Sequence, residues 1–96
     1  MERFFQWNDD KNRTNWLKHG VDFDEALSVF DDENGILIAD PDPSDGEERF
    51  VFIGRSAKIR ILIVCHCYRE SDTVIGIISA RKATRSERFT YEELLP

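Results

Sequence analysis

Apolar residues recur every three to four positions in the first third of the chain. After Gly35 they fall at every second position or in short unbroken runs. The first rhythm belongs to helix and the second to strand. A short aromatic run, "RFFQW" (Arg3 to Trp7), comes first and predicts a strand. The segment "NDDKNRTNWLKHG" predicts a helix capped by Asn8 or Asp9, with Lys18 and His19 in its last turn and Gly20 at the left-handed position that ends it. Asp22 and Glu25 have the spacing of a capping box, and Phe23, Ala26, Leu27 and Phe30 follow at i, i+3, i+4 and i+7. That pattern predicts a second helix with one apolar stripe.

The strand rhythm opens with "ILIA" (Ile36 to Ala39) and breaks at "DPDPSDGEE", a predicted loop whose prolines and glycine preclude regular structure. "RFVFIG" (Arg49 to Gly54), "RILIVCHCY" (Arg60 to Tyr68) and "TVIGIISA" (Thr73 to Ala80) follow, joined by polar turns at Ser56–Lys58 and Glu70–Asp72. Connections this short make antiparallel neighbours. The last of the three strands is apolar on both faces and is expected to be central, covered by helices on at least one side. Thr84 and Glu87 form another capping-box pair, opening a final helix through about Leu94. The expectation is one α+β domain over residues 1–96, a small antiparallel β-sheet packed by helices in the order β-α-α-β-β-β-β-α.

Composition narrows the class. A chain of 96 residues with 41% hydrophobic and 11% aromatic content suits one folded core. The longest apolar run, Ile61 to Cys65, is too short for a bilayer, and "MERFFQWNDD" lacks the apolar segment of a signal peptide. A cytoplasmic location is therefore expected. Cys65 and Cys67 alternate onto one strand face, where a disulfide between them would oppose extended geometry, so both read as buried thiols. His66 points to the opposite face and no second ligand pair is present, so neither a metal nor a cofactor is expected.

Charge is divided along the chain, although the net value is −6. Residues 1–48 hold four bases (Arg3, Lys11, Arg13, Lys18) against fourteen acids, whereas residues 49–91 hold nine bases against three acids (Glu70, Asp72, Glu87). The second half alone can attract a polyanion. Within "IISARKATRSERFTYEE" lie Arg81, Lys82, Arg85 and Arg88. With Thr84 as N-cap, Arg85 and Arg88 take the first and fourth helical positions, where a cation costs about 0.3–1 kcal/mol. A phosphate bound to the guanidinium groups and backbone N–H groups would offset that cost. The structural alternative is pairing with the acidic half, for example with "FDDE" (Phe30 to Glu33).

Other candidates stand singly. His66 lies in an apolar row with Leu62, Val64 and Tyr68, the setting of a structural histidine, although its titration range suits proton transfer. Glu48 and Arg49 begin a strand and Arg55 lies beyond its end; charges there are usually solvated. His19 suits the carbonyl end of its helix. Trp7 and Trp16 are assigned to the core, and Tyr91 follows Arg88 by one turn.

Three separated stretches, "WNDDKNRTNWLKHGVDFDEA", "EERFVFIG" and "IISARKATRSERFTYEE", resemble the BrnT toxin family. The matching positions are Trp7, Lys11, Asn15, Lys18, His19, Gly20, Phe23, Glu25, Ala26, Glu48, Arg49, Ile78, Ser79, Ala80, Arg81, Ala83, Glu87, Arg88 and Tyr91. Asn8 stands where the family usually has Asp, and both residues cap helices. The resemblance implies a RelE-like fold and a ribonuclease that blocks translation. It also implies a BrnA antitoxin partner, a ribbon-helix-helix protein through which DNA is contacted only indirectly. RNA cleavage by the ribose 2′-hydroxyl needs a base, an acid and positive charge at phosphorus, and no metal. Arg81 and Arg88, with Arg49, suit the third role; Glu48, His66 or Tyr91 could move protons. Lys82, Arg85, Arg55 and Lys58 are candidate RNA contacts. The competing reading is a binding module without catalysis.

Overall fold

Caps decide where the helices begin and end. Asn8 accepts hydrogen bonds from the backbone N–H groups of Asp10 and Lys11, starting helix α1 (Asp9–His19), and Gly20 ends it at φ 69°, a left-handed conformation that glycine adopts without steric cost. The computed structural model describes residues 3–40 and 48–96. The predicted loop after Ala39 therefore lies, apart from its two ends, outside the described residues.

The chain runs β1 (Phe4–Gln6), α1, α2 (Phe23–Leu27), a 3-10 turn (Ser28–Asp31), β2 (Ile36–Ala39), β3 (Phe50–Arg55), β4 (Ile61–Arg69), β5 (Val74–Lys82) and α3 (Arg85–Glu93). The predicted second helix is shorter than its apolar stripe, because Val29 and Phe30 fall in the 3-10 turn. Its capping box is half made. Asp22 accepts from the N–H of Glu25 at 2.7 Å, but the Glu25 carboxylate does not reach back. It turns instead to Ser56 and Arg60.

All five strands form one sheet in the order β1-β5-β4-β3-β2. Strands β2 to β5 are antiparallel neighbours. β1 is not: it runs parallel to β5, pairing Phe4 with Val74 and Gln6 with Gly76. The sheet is mixed, which corrects the expectation of a purely antiparallel one. Short turns dictate direction only between strands adjacent in sequence, and β1 and β5 are far apart in the chain. β4 occupies the middle, and β5 lies beside it, flanked by β4 and β1.

A bulge sets the faces of β5. Cys65 pairs with Ser79 but His66 pairs with Ile77, leaving Ile78 as the extra residue. The inserted residue shifts the alternation by one. Ile75, Ile77 and Ala80 consequently all face the same core, and Ser79 and Arg81 take the other side.

That core lies between the sheet and the segment formed by α2 and the 3-10 turn that follows it. Val21, Phe23, Ala26, Val29 and Phe30 pack on Leu62, Val64, Ile75, Ile77 and Ala80. Full burial of side chains such as Phe23, Leu62 and Val64 contributes roughly 1.5–3 kcal/mol each. Trp7 packs edge-on against Phe23, but Trp16 is 49% exposed on the outer side of α1, contrary to its assignment to the core. The opposite face carries a smaller cluster, Ile53, Ile63 and Tyr91, beneath α3.

Two polar ties lock the helices to the sheet. β1 pairs only with the start of β5, and beyond it Asn15 of α1 takes over the open edge. Its amide donates to the carbonyl of Ala80 at 2.8 Å and accepts from the Ala80 N–H at 3.1 Å. Glu25 is 5% exposed and accepts from Ser56 Oγ at 2.7 Å and Arg60 Nε at 2.9 Å, while the Arg60 guanidinium also donates to Gly20 O. Burial would raise the Glu25 carboxyl, but the hydrogen bonds from Arg60 and Ser56 outweigh it and hold the group below the usual carboxylate value. Two residues of the recognisable motif, Asn15 and Glu25, therefore have structural work.

Candidate functional site

Strand alternation divides the candidate residues between the two faces of the sheet. Arg81 pairs in register with Ile63, and Arg55 with Ile61, on the side covered by α3. Arg49 precedes Phe50 and shares that side with Val51; its charge is felt by Cys65. His66 and Glu48 belong to the other side, and so does Lys82, which pairs with Leu62. The basic cluster that looked continuous in sequence is thus split.

Arg81 is the best-organised member. Its Nη1 donates to Glu87 Oε1 at 2.7 Å and its Nη2 to Glu87 Oε2 at 2.9 Å, a bidentate pair. Glu87 is held in turn by its role at the helix start: Oε1 accepts from the Thr84 N–H at 2.8 Å while Thr84 Oγ1 accepts from the Glu87 N–H. The Arg81 guanidinium and the capping contacts drop the Glu87 carboxyl to about 2. Glu87 is therefore an orienting carboxylate and a poor base. A third Arg81 donor reaches Lys82 O at 3.3 Å, leaving two of the five guanidinium N–H groups without a partner among the described residues.

Tyr91 points inward from α3 and is 3% exposed. Its hydroxyl donates to Asp32 Oδ2, which also accepts the Arg55 N–H at 2.8 Å, while Oδ1 accepts the Asn34 N–H at 2.9 Å. Burial and the Asp32 carboxylate push the Tyr91 hydroxyl up to about 12. Burial alone would raise Asp32, yet the donors from Tyr91, Arg55 and Asn34 prevail and lower it. The contact of "FDDE" with the C-terminal segment is therefore made through a tyrosine. Asp31 of the same stretch pairs with Arg3 at 3.1 Å.

His66 is fully buried. Its Nδ1 lies 3.1 Å from Val64 O and its Nε2 3.2 Å from Tyr68 Oη, with Phe30 edge-on to the ring. Burial lowers its titration, so the ring is neutral near pH 7. No substrate atom reaches it in this arrangement. Glu48 is exposed and borders a cleft with Phe50, Tyr68 and Asp72, across the sheet from Arg81.

Arg85 and Arg88 of α3 are exposed and make no ion pair among the described residues. Arg88 sits one turn from Tyr91, next to the face that α3 turns to the sheet. Lys58 lies exposed in the β3–β4 turn, at the same end of the sheet as Arg55. Strand geometry separates the Cα atoms of Arg49 and Arg81 by about 13 Å along the strands and about 10 Å across them. They share a face but are spaced for more than one phosphate. α3 covers only the Ile53–Ile63 end, so Cys65 and Ser79, between the two arginines, remain half-exposed. Burial raises the Cys65 thiol, with Asp40 adding to the effect.

Sequence reasoning missed Asp32 as the partner of Tyr91, since nothing in spacing connects residues 59 positions apart. Lys11, Lys18 and His19, which border a hollow beside β5, were not among its site candidates either. Their signal was available, as Lys11 and Lys18 recur at i and i+7 on one side of α1. Among the described residues no three His, Cys, Asp or Glu side chains converge as a metal site would require.

Comparison with known proteins supplies the relationship. The 1.1 Å crystal structure of the Brucella abortus ribonuclease toxin BrnT superposes with a TM-score of 0.57 at 24% identity, over 88% of this chain and 100% of that one. At that identity the match speaks for the fold. No curated protein sequence matches the chain. The model of the family described as ribonuclease toxin, BrnT, of type II toxin–antitoxin systems matches residues 7–87, a span that takes in both Asn15 and the Arg81–Glu87 pair. The chain belongs to the BrnT family of ribonuclease toxins of type II toxin–antitoxin systems.

Proposed function

We propose that the chain is a metal-independent endoribonuclease of RelE-like type that acts in the cytoplasm, arrests translation by cutting RNA, and is neutralised by a BrnA-type antitoxin. The observation that carries this reading is the Arg81 guanidinium, held flat by Glu87 at the edge of an uncovered strip of sheet with two donors unused. A charge that develops on a pentacoordinate phosphate is stabilised best by donors already in place. Arg81 is assigned that role, with Arg88 beside it and Arg49 on the adjoining phosphate; Arg85, Arg55 and Lys58 supply weaker phosphate contacts.

Of the three residues considered for proton transfer, Tyr91 alone shares the Arg81 face, and its hydroxyl is engaged by Asp32. It positions α3. The 2′-hydroxyl proton then passes to solvent in the open strip, the P–O5′ bond breaks as the 2′,3′-cyclic phosphate forms, and water protonates the leaving 5′-oxygen. The cleavage rate climbs with pH without an inflection near 6.5, the ordinary histidine value. An inflection there would return an imidazole to the mechanism.

Arg81→Ala is expected to lower cleavage of an RNA oligonucleotide, measured with chelator present, by about 100-fold, with a modest fall in Tm because Glu87 loses its bidentate partner. Unchanged cleavage by the folded variant would remove Arg81 from the chemistry. The burial of His66 and the placement of Glu48 also favour a second reading, a binding module without catalysis. Induction of the chain in a bacterial host separates the two: growth arrest relieved by the antitoxin supports the nuclease, and harmless overexpression supports the module.

A further inference from the structure

Two hollows on the α1 side of the sheet have no part in the reading above. One, of about 540 Å³, is bordered by Trp7, Asn8, Lys11, Arg69, Gly76 and Ile78. The other, of about 300 Å³, is bordered by Lys11, Lys18, His19, Ile78 and Ser79. They share Lys11 and Ile78, so they form one trough between α1 and the bulged part of β5. Helical spacing places Lys11 and Lys18 two turns apart along one wall, about 10 Å in rise. Asp10 is the carboxylate on that wall. The bordering residues thus carry an excess of positive charge in a chain whose net charge is −6.

The far wall is built for an arginine. Gly76 leaves room that a side chain would fill: a Cβ there would come within 3.1 Å of Arg69 Nε and 3.0 Å of Cys67 Sγ. The Arg69 guanidinium lies over the glycine with Nε donating to Cys67 Sγ at 3.4 Å. The trough also leads to the candidate site. Ser79 borders it, and Arg81 is the next residue but one on the same face, about 7 Å further along the strand. Hollows of this size suit a nucleotide or two, and a duplex would need contacts across successive grooves.

We propose that the α1–β5 trough is a track for single-stranded RNA, in which Lys11, Lys18 and Arg69 hold phosphates on one side of the cut made at Arg81. The assignment rests on the ribonuclease reading for its direction and deepens it by giving the substrate a path. Charge complementarity selects the occupant: phosphates at successive positions match cations spaced along one wall.

The test uses the full chain and an RNA of about 12 nucleotides. Its riboses are 2′-O-methylated, so 2′-hydroxyl attack is impossible and binding is read apart from cleavage. Lys11 and Lys18 are exposed on α1, and Lys11→Gln with Lys18→Gln should leave the fold intact. The expected result is weaker binding, with the salt slope of log K reduced by about 0.7 per lysine. Gly76→Ala retains every charge but displaces Arg69, and it should weaken binding with the slope less affected. If the parent cleaves RNA while the double variant keeps its affinity and salt slope, the track is wrong and the nuclease reading stands. If the variant loses antitoxin binding and keeps RNA binding, the trough is a protein surface and the proposal is overturned. A parent that neither binds nor cleaves RNA overturns both.

Discussion

At the scale of single residues, the backbone is most unusual at Ile59. This residue has φ 61° and is 79% exposed in the turn between β3 and β4. A β-branched side chain in the left-handed region is strained by about 1–2 kcal/mol. Little burial offsets that strain, since most of the side chain faces water. Ile59→Asn, which tolerates the conformation, is expected to raise stability by about 1 kcal/mol, seen as an increase in Tm of roughly 4–8 °C. An unchanged or lower Tm would show that the side chain makes a contribution its exposure conceals. The same scale separates legible residues from illegible ones. Thr84 and Glu87 announce a capping box by spacing alone, and both halves of it form. Asp22 and Glu25 have the same spacing, but Arg60 and Ser56 compete for the carboxylate and win, because a buried charge needs its counter-charge more than a helix end needs a second cap.

At the scale of elements, α3 is fastened at both ends by different means. Glu87 ties its start to Arg81 on β5, and Tyr91 ties its second half to Asp32, just before β2. The apolar contact beneath it is small, with Ile53 and Ile63 as the buried partners. Removing the hydroxyl in Tyr91→Phe leaves Asp32 with one donor fewer and should cost about 1–2 kcal/mol. Hydrogen exchange of the α3 amides should accelerate more than that of β4. Equal acceleration in both would mean that α3 does not open by itself. This element also shows why arginine clusters mislead. Arg81, Lys82, Arg85 and Arg88 are neighbours in sequence, but a strand sends consecutive residues to opposite faces and a helix turns them by about a quarter of a circle. Only Arg81 and the α3 arginines stay on one side.

For the whole molecule, stability against acid follows from how the groups held by burial or by hydrogen bonds titrate. Glu25, Asp32 and Glu87 all sit below their ordinary values, so below about 4.5 the unfolded chain takes up protons that the folded chain refuses. Stability from these groups is complete above that pH and is lost as the pH falls toward about 2, the value for Glu87. His66 is lowered by burial as well, so the unfolded chain gains its proton first as the pH drops through about 6.5. Urea unfolding should therefore weaken in two steps, a shallow one beginning near 6.5 and a deeper one below 4.5. His66→Gln should abolish the first and leave the second. A single acid step in the parent would mean that His66 is charged in the folded state. Among the described residues no helix is long and apolar enough to cross a bilayer.

Period, caps and turn lengths determined, without any structure, the helices, the three consecutive hairpin strands and the alternation that places Cys65 opposite His66. These depend on interactions within a few residues, which spacing records. The parallel pairing of β1, the bulge at Ile78, the exposure of Trp16 and the meeting of Tyr91 with Asp32 were decided only when distant segments packed. A local pattern carries no information about which remote surface will cover it. The candidate site divides along the same line. Arg81 as a candidate and Glu87 as a cap were legible in the sequence, but their bidentate pair forms only where β5 hands over to α3, and the trough beside Lys11 and Arg69 exists only because α1 comes to rest along the free edge of β5.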